Sequence, residues 1–463
     1  MRTLFSKGII GMSALAVMGL ASCTNENDPM GGNGQAAEPG EPTHVTLSLD
    51  LNSAPSTRAI VDDNATTEET KITHLNVFIY DKNGVLENAQ KIMMADLTDA
   101  GDNVYTTKEL KATTGAKTVY VGLNMTDAMV GQLKATAAQN LKSTAAKVAL
   151  GDLTNKTTGF VMFSTQGENA TFEAVGEDGT LPAANKVAIQ VERLASKIAV
   201  GCEEEIDDIK QGAAGKIQNL RFVVDNINTL NYFPYAKGAP MDPNMNKDAY
   251  KVADFVVEDD FTTATGWNAI VPATADRKTW ESAYSAENVT TDKEMMGITR
   301  VVVQGEFIPA TLIEKVDNAG QTTWNDKDNS TAGPATFIQL EFAEAGGYAF
   351  FAGGTTDDVL KEYMAYKKGV TADQIDDATL TAAKKVYTNG YNYWWITTKD
   401  GRGDIVRNNF YQVNITSIWA PGRTDGKFDP DKDDEKVDEE TNIEFTVTVA
   451  PWNLMEQNTE LRP

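Results

Sequence analysis

The segment that most restricts what this chain can fold into is its last apolar stretch, Ile443-Glu444-Phe445-Thr446-Val447-Thr448-Val449-Ala450-Pro451-Trp452-Asn453-Leu454. Ile443, Phe445, Val447 and Val449 alternate with Glu444, Thr446 and Thr448, the period of a strand that buries one face. The run from Asp429 to Glu440 before it is charged and reads as a flexible arm, so the strand is tethered rather than turned tightly off its predecessor. An apolar strand on such a leash needs an acceptor. It either closes a sheet of its own chain or is given to another molecule, and this segment alone leaves both open.

The other end of the chain carries a counterpart. Arg2 and Lys7 flank the start of an apolar, small-residue run, Gly8 to Gly19, which is too short to span a bilayer as a mature helix and reads as a secretory signal. It ends in Leu20-Ala21-Ser22-Cys23, which resembles a bacterial lipobox, with Cys23 as the residue that takes lipid such as palmitate. Thr24 to Thr43 is rich in Gly, Pro, Asn and Glu, the composition of a disordered tether. Beyond it Val45, Leu47, Leu49 and Leu51 alternate with polar residues, a second one-faced strand near a chain end. Arg58-Ala59 follows between two polar stretches, where a trypsin-like protease would cut. A cut there would detach strand and lipid together.

With 463 residues and 41% apolar content, the chain has room for two or three domains. Its 41 basic and 66 acidic residues give a formal charge of -25, which argues against nucleic acid or anionic lipid as a partner and for solubility at a cell surface. Of the two cysteines, Cys23 is claimed by the lipobox, so Cys202 has no disulfide partner and is expected to be buried and inert. His44 and His74 are too few for a histidine metal site and read as partly exposed strand residues. No Ser/His/Asp spacing, paired-cysteine motif, phosphate loop or dinucleotide fingerprint is present. An enzyme is not expected, and no cofactor or metal is implied.

The body reads as many short strands joined by turn chemistry, with few helices. Strands are expected at Ile72 to Tyr80, Lys117 to Leu123, Val187 to Val191, Ile217 to Val224, Thr299 to Ile308, Thr336 to Phe342, Tyr391 to Thr397 and Asn409 to Ile418. Helices are expected within Asp127 to Leu150, at Asp357 to Lys368, and from Thr371 to Tyr387 after a break at Gly369, the last opened by a capping box at Thr371 to Gln374. Two short motifs carry less than they suggest. Arg402-Gly403-Asp404 is a three-residue match to an integrin-read tripeptide in a glycine-rich turn. Asp429, Asp431, Asp433 and Glu440 fit positions of a calcium loop, yet Asp434 stands where that loop needs glycine, so a solvated acidic linker is the better reading.

Several stretches together resemble the type V fimbrial shaft subunits, or fimbrillins, of Gram-negative anaerobes, closest to the minor-fimbrium (Mfa-type) shaft subunit. They are the lipobox, the strand before Arg58-Ala59, Val191-Glu192-Arg193-Leu194-Ala195-Ser196-Lys197, Ile405-Val406-Arg407-Asn408-Asn409-Phe410-Tyr411, and Val447 to Trp452. The resemblance implies a mostly β fold, two transthyretin-like β-sandwich domains in tandem with a few short helices, completed by strand exchange. It implies a signal peptide over 1–23, a tether and removable strand over 24–58, sandwich domains over 59–200 and 201–428, and an acidic linker with donor strand over 429–463. It implies an outer-membrane lipoprotein precursor, cut by an arginine-specific protease between Arg58 and Ala59, then polymerised head-to-tail into a surface fimbrium that supports cell adhesion. The displaced strand is then Val45, Leu47, Leu49 and Leu51. The donor is Ile443, Phe445, Val447, Val449, Trp452 and Leu454. Partners are further copies of the chain and the anchor and tip subunits. Tip subunits of that family lack such a C-terminal donor, which favours a shaft role.

The physics of the two ends is consistent with that scheme. A sandwich lacking one strand exposes unpaired backbone and an apolar groove, and a strand from the same or another chain repairs it. Burying roughly five large apolar side chains gives on the order of 10 kcal/mol before ordering costs. The rival expectation is a lipid-anchored glycan-binding protein of the outer surface, using Tyr391, Tyr393, Trp394 and Trp395 as an aromatic platform, although their place in one strand points to core packing.

Overall fold

The computed structural model describes residues 40–51, 66–101, 104–203, 214–234, 242–244, 251–272, 280–289, 297–342, 347–397, 404–418, 420–427 and 443–452. It is mostly β, as the alternation requires. The N-terminal unit is built on one long sheet in which strands Leu86–Met93, His74–Asp81, Gly115–Leu123, Met162–Ser164, Lys186–Arg193 and Pro42–Asp50 follow one another. This sheet curls so that the apolar faces of the first strand and of Lys186–Arg193 (Val45, Leu47, Leu49, Val187, Ile189, Val191) meet Leu75, Val77, Ile79, Val119 and Val121 in one cluster. Alternation thus becomes a closed core.

Sheet membership changes at Leu194. Lys186–Arg193 ends the first sheet, and Ala195–Cys202 pairs in parallel with Asn409–Ile418 in the second, Lys197 opposite Phe410 and Cys202 opposite Ile415. The change therefore falls before position 200, where the end of the first domain was expected. The second sheet faces another made of Gly215–Asp225, Arg300–Pro309 and Tyr391–Thr397. Between them lie Ile198, Val200, Val413 and Ile415 from one side and Phe222, Val301, Val303, Trp394 and Ile396 from the other, the core of a sandwich. Residues 311–387 form an insertion between Arg300–Pro309 and Tyr391–Thr397, which pair directly. It holds a hairpin (Thr311–Asn318, Gln321–Asp328), a three-stranded sheet and two helices around Leu340, Phe351, Leu360 and Tyr363.

A third cluster joins the two units. Phe78, Tyr80, Tyr120 and Phe163 from the outer face of the first sheet pack with Met129 and Leu133 of a short helix and with Leu194, Ala199, Phe410 and Trp452. The units are in sequence order but not independent.

Several expectations are corrected. The helix within 127–150 runs only Asp127–Lys134; the chain then turns through a 3-10 segment at Ala138–Asn140, with Ala137 and Leu141 still buried. Asp357–Lys368 forms as read and ends on Gly369 in the left-handed conformation (φ 67°). The helix expected through Tyr387 stops at Ala383, and Lys384–Tyr387 instead pairs with Phe337–Phe342 as an edge strand. The capping box of Thr371 and Gln374 is present, but on a single 3-10 turn. His74 is buried, with its ring against Thr73 Oγ1 (3.0 Å) and Met125 O (3.1 Å), and burial holds its pKa below the usual value. Cys202 is only half-buried; desolvation raises its thiol pKa, which keeps it a poor nucleophile at neutral pH.

Arg407 anchors the approach to Asn409–Ile418, the strand that pairs with Ile443–Pro451. Its guanidinium donates to Glu287 Oε2 (2.8 Å from Nε) and to the carbonyls of Phe233 (2.7 Å) and Tyr232 (2.6 Å), with both charged side chains almost fully buried. Replacing it with Met would strand a buried carboxylate and two carbonyls, and removal of one partner of such a pair costs about 3–5 kcal/mol. Arg407→Met should lower the urea midpoint of the first unfolding transition by a matching amount; an unchanged midpoint would show that the pair holds nothing.

Candidate functional site

The first strand, Pro42–Asp50, is bonded on both edges. One edge runs parallel to Lys186–Arg193, from Thr46 opposite Lys186 to Asp50 opposite Gln190. The other runs antiparallel to Val104–Thr106 and to Leu110–Thr113. Val45, Leu47, Leu49 and Leu51 are all at most 3% exposed, so its whole apolar face fills a slot. Two side chains grip its backbone. Leu47 N–H donates to Thr107 Oγ1 (3.0 Å) while Leu47 C=O accepts from Thr107 N–H (2.9 Å). Asn185, fully buried, donates from Nδ2 to His44 O (2.8 Å), Thr43 Oγ1 (3.1 Å) and Glu173 O (2.9 Å), and its Oδ1 accepts from Glu173 N–H (2.8 Å). Taking this strand away would leave two rows of unpaired backbone, an apolar slot and an unsatisfied buried amide.

Among the described residues, the last strand, Ile443–Pro451, is bonded on one edge. It lies antiparallel to Asn409–Ile418 at the end of the second sheet, with Val447 opposite Val413, Phe445 opposite Ile415 and Val449 opposite Tyr411. Ile443 is buried and Val447 half-buried against the sandwich core. In this structure the strand closes its own chain's sheet, the first of the two alternatives its sequence left open.

Where the strand ends, Trp452 is held from every side. Its N–H donates to Asn408 O (3.0 Å), its C=O accepts from Arg193 Nη1 (3.1 Å), and its indole N–H donates to Glu69 Oε2 (3.3 Å). The Arg193 guanidinium lies 4.3 Å from the indole ring, Tyr284 stacks on it at 5.8 Å and Phe160 meets it edge-on at 5.7 Å. Glu69 belongs to the turn of helix Thr67–Thr70, fixed by a capping box with Thr66. Its carboxylate accepts from Tyr284 Oη (2.7 Å) and faces Lys197 Nζ (3.3 Å), and its backbone carbonyl accepts from Arg193 Nε (3.2 Å) and Nη2 (3.0 Å). Burial, partly offset by Glu69, pushes Arg193 down to about 10, so it stays charged at neutral pH. Burial first and Glu69 second raise the Tyr284 hydroxyl well above its usual range. The hydroxyl therefore remains a donor.

The displaced-strand residues named from sequence thus form one buried row, and Ile443, Val447 and Trp452 of the expected donor lie on the other sheet. The two sets are not brought together. Cys23, Arg58, Ala59, Leu454, Arg402, Gly403 and the Asp429 to Glu440 run lie outside the described residues. The aromatic platform does not form at the surface: Tyr393 and Trp394 are 1% exposed and Trp395 is 8% exposed. Sequence reading missed Glu69, Asn185 and Thr107. Only the first had a local signal, the Thr66-x-x-Glu69 capping pattern.

Residues 43–193 match the family model described as Major fimbrial subunit protein (FimA), and residues 385–458 match Major fimbrial subunit protein type IV, Fimbrillin, C-terminal. No curated protein matches the chain by sequence. Among solved structures it is similar to a putative cell adhesion protein from Parabacteroides distasonis (12% identity, TM-score 0.47, covering 89% of this chain and 100% of that one). It is also similar to one from Bacteroides eggerthii (14%, 0.46, 90% and 98%) and to the tip fimbrial protein Mfa3 from Porphyromonas gingivalis with C-terminal truncation (12%, 0.37, 88% and 100%).

Asn185→Ala removes the amide that holds the start of the first strand and leaves the His44 carbonyl without that donor and the Glu173 N–H without that acceptor, a loss of about 1–3 kcal/mol. Hydrogen exchange at the amides of 43–50 should quicken accordingly while that of 443–451 stays as it was. Equal quickening in both strands would mean that Asn185 supports the whole fold rather than this strand.

Proposed function

We propose that this chain, a fimbrial subunit of the fimbrillin family, is a structural pilin that polymerises when a protease removes its first strand and the last strand of another copy takes the vacated slot. The observation that carries this reading is the position of Pro42–Asp50: a strand upstream of Arg58, bonded on both edges and buried along one face. A strand so placed keeps the precursor complete and monomeric. Once cut at Arg58 it is held only by noncovalent contacts and can be exchanged, an instance of strand addition.

The direction of exchange follows from pairing. At home the last strand has one bonded edge among the described residues; in the slot it would have two, with Phe445, Val447 and Val449 spaced as the residues they replace. The gain on the second edge offsets the loss at home. Because donor and slot are different surfaces of the subunit, the contact is head-to-tail, does not close on itself and propagates as a filament. In this reading Cys23 is lipidated and carries the precursor to the outer membrane, an arginine-specific protease cuts between Arg58 and Ala59, and the mature subunit joins other copies and the anchor and tip subunits in a fimbrium that supports adhesion.

Subunits purified from filaments should begin at Ala59, and Arg58→Ala should accumulate as monomeric precursor. Lipidated Cys23 at the start of most filament subunits would overturn the processing scheme. Donation is tested without altering the subunit. A synthetic peptide of residues 443–454, added in excess while precursor is cut, should fill the slot and suppress the ladder of detergent-resistant oligomers. The same peptide with Val447→Asp should not, since burying an unpaired carboxylate costs several kcal/mol. Equal ladders in both cases would refute this strand as the donor.

A further inference from the structure

The turn at Thr66–Thr70 is the first described segment after the Arg58-Ala59 site, and it touches the far end of the chain. Glu69 is fully buried, and its carboxylate is shared between Thr66 N–H (2.7 Å), Tyr284 Oη (2.7 Å) and the Trp452 indole N–H (3.3 Å), with Lys197 alongside. Arg193 binds the Glu69 carbonyl with Nε and Nη2 and the Trp452 carbonyl with Nη1, so one guanidinium spans the turn and the last strand. A buried carboxylate with this many donors is costly to leave half-satisfied. The contacts that hold the turn are therefore also contacts that hold Trp452.

We infer that the Thr66–Thr70 turn is a latch that retains the last strand in its own sheet until the chain is processed. The inference rests on the strand-donation reading and gives it a regulator. In the precursor the turn is an internal segment, tied covalently to the first strand on one side and to His74–Asp81 on the other. Cutting at Arg58 makes it part of a free chain end with one covalent tie, which raises the entropy gained when it leaves its seat. If the turn leaves, Trp452 loses its indole acceptor and Arg193 loses the carbonyl that helps to place it. The cut that vacates the slot also loosens the strand that is to fill another slot. An uncut subunit keeps both strands at home.

The test is hydrogen exchange on the full-length precursor and on the same protein cut at Arg58, read on dilute monomer before filaments form. In the precursor, Glu69→Gln and the milder Trp452→Phe, which keeps ring packing but deletes the indole donor, should each speed exchange at the amides of 443–451. Loss of a hydrogen bond to a charged group corresponds to roughly ten- to hundredfold faster exchange. Exchange at 43–50 and 215–225 should not change. Cutting the wild-type precursor should speed exchange at 443–451 in the same way. If Trp452→Phe leaves 443–451 unchanged, if it speeds all three segments alike, or if cutting has no effect there, the latch is overturned, and Trp452→Phe decides the matter should Glu69→Gln fail to fold. Because the readout is taken on monomers, cut subunits that never polymerise would count against strand donation and leave the latch standing, whereas filaments from a protein whose 443–451 exchange ignores both variants would do the reverse.

Discussion

A strand bonded on both edges cannot leave a sheet without leaving a hole. The slot around Pro42–Asp50 is the constraint on which the N-terminal unit depends, because Lys186–Arg193 on one edge and Val104–Thr106 and Leu110–Thr113 on the other have that strand between them. Four side chains on it are at most 3% exposed, and the residues they meet come from every other main strand of that core. The unit is complete only with a strand in that place, and the physics does not specify whose. Asn185 and Thr107 bind backbone groups and a hydroxyl, so any extended segment with the right spacing can satisfy most of their bonds.

The second unit is built the opposite way. Its last strand sits at an edge, and the sandwich core is supplied by the strands inside it: Ala195–Cys202, Asn409–Ile418, Gly215–Asp225, Arg300–Pro309 and Tyr391–Thr397. Edge strands peel at lower cost than middle ones because one row of bonds, not two, is broken. This one pairs along Asn409–Ile418, places Ile443 in the sandwich core, and is followed by Trp452, which enters the cluster shared by both units. The N-terminal unit thus has a strand in the middle of its sheet near one chain end, and the second unit has one at the edge of its sheet near the other.

Much of this was legible in sequence, and the reasons differ by element. Tyr391–Thr397 and Asn409–Ile418 have the ends read from their patterns because β-branched and aromatic residues predominate in both. The first strand was readable from alternation alone, since it buries a single face, and the last from the same alternation in sequence. Asp357–Lys368 was fixed by its stop at Gly369. Beyond Lys134 the chain leaves the helix although Ala137 and Leu141 keep helical spacing with Leu133, and Lys384–Tyr387 became a strand because a sheet edge at Phe337–Phe342 was available to it, a tertiary fact. The partners of Glu69 at Arg193, Tyr284 and Trp452 lie 124, 215 and 383 residues away, and no local pattern encodes such a meeting. Arg193 was noted in sequence only as part of a resemblance, and Trp452 as one residue of the expected donor strand, with neither linked to Glu69.

The parallel pairing of the first strand has a kinetic side. Thr46 lies opposite Lys186, so the segment synthesised first cannot take its place until the chain through Arg193 has been made and its hairpins have formed. Contacts of such long sequence separation form late, after the loop-closure entropy has been met by nearer ones. Through that interval Val45, Leu47, Leu49 and Leu51 have no slot to enter. The strand that completes the N-terminal core is thus held across a sequence separation far greater than that of the hairpins beside it, so its place depends on the rest of that sheet being formed.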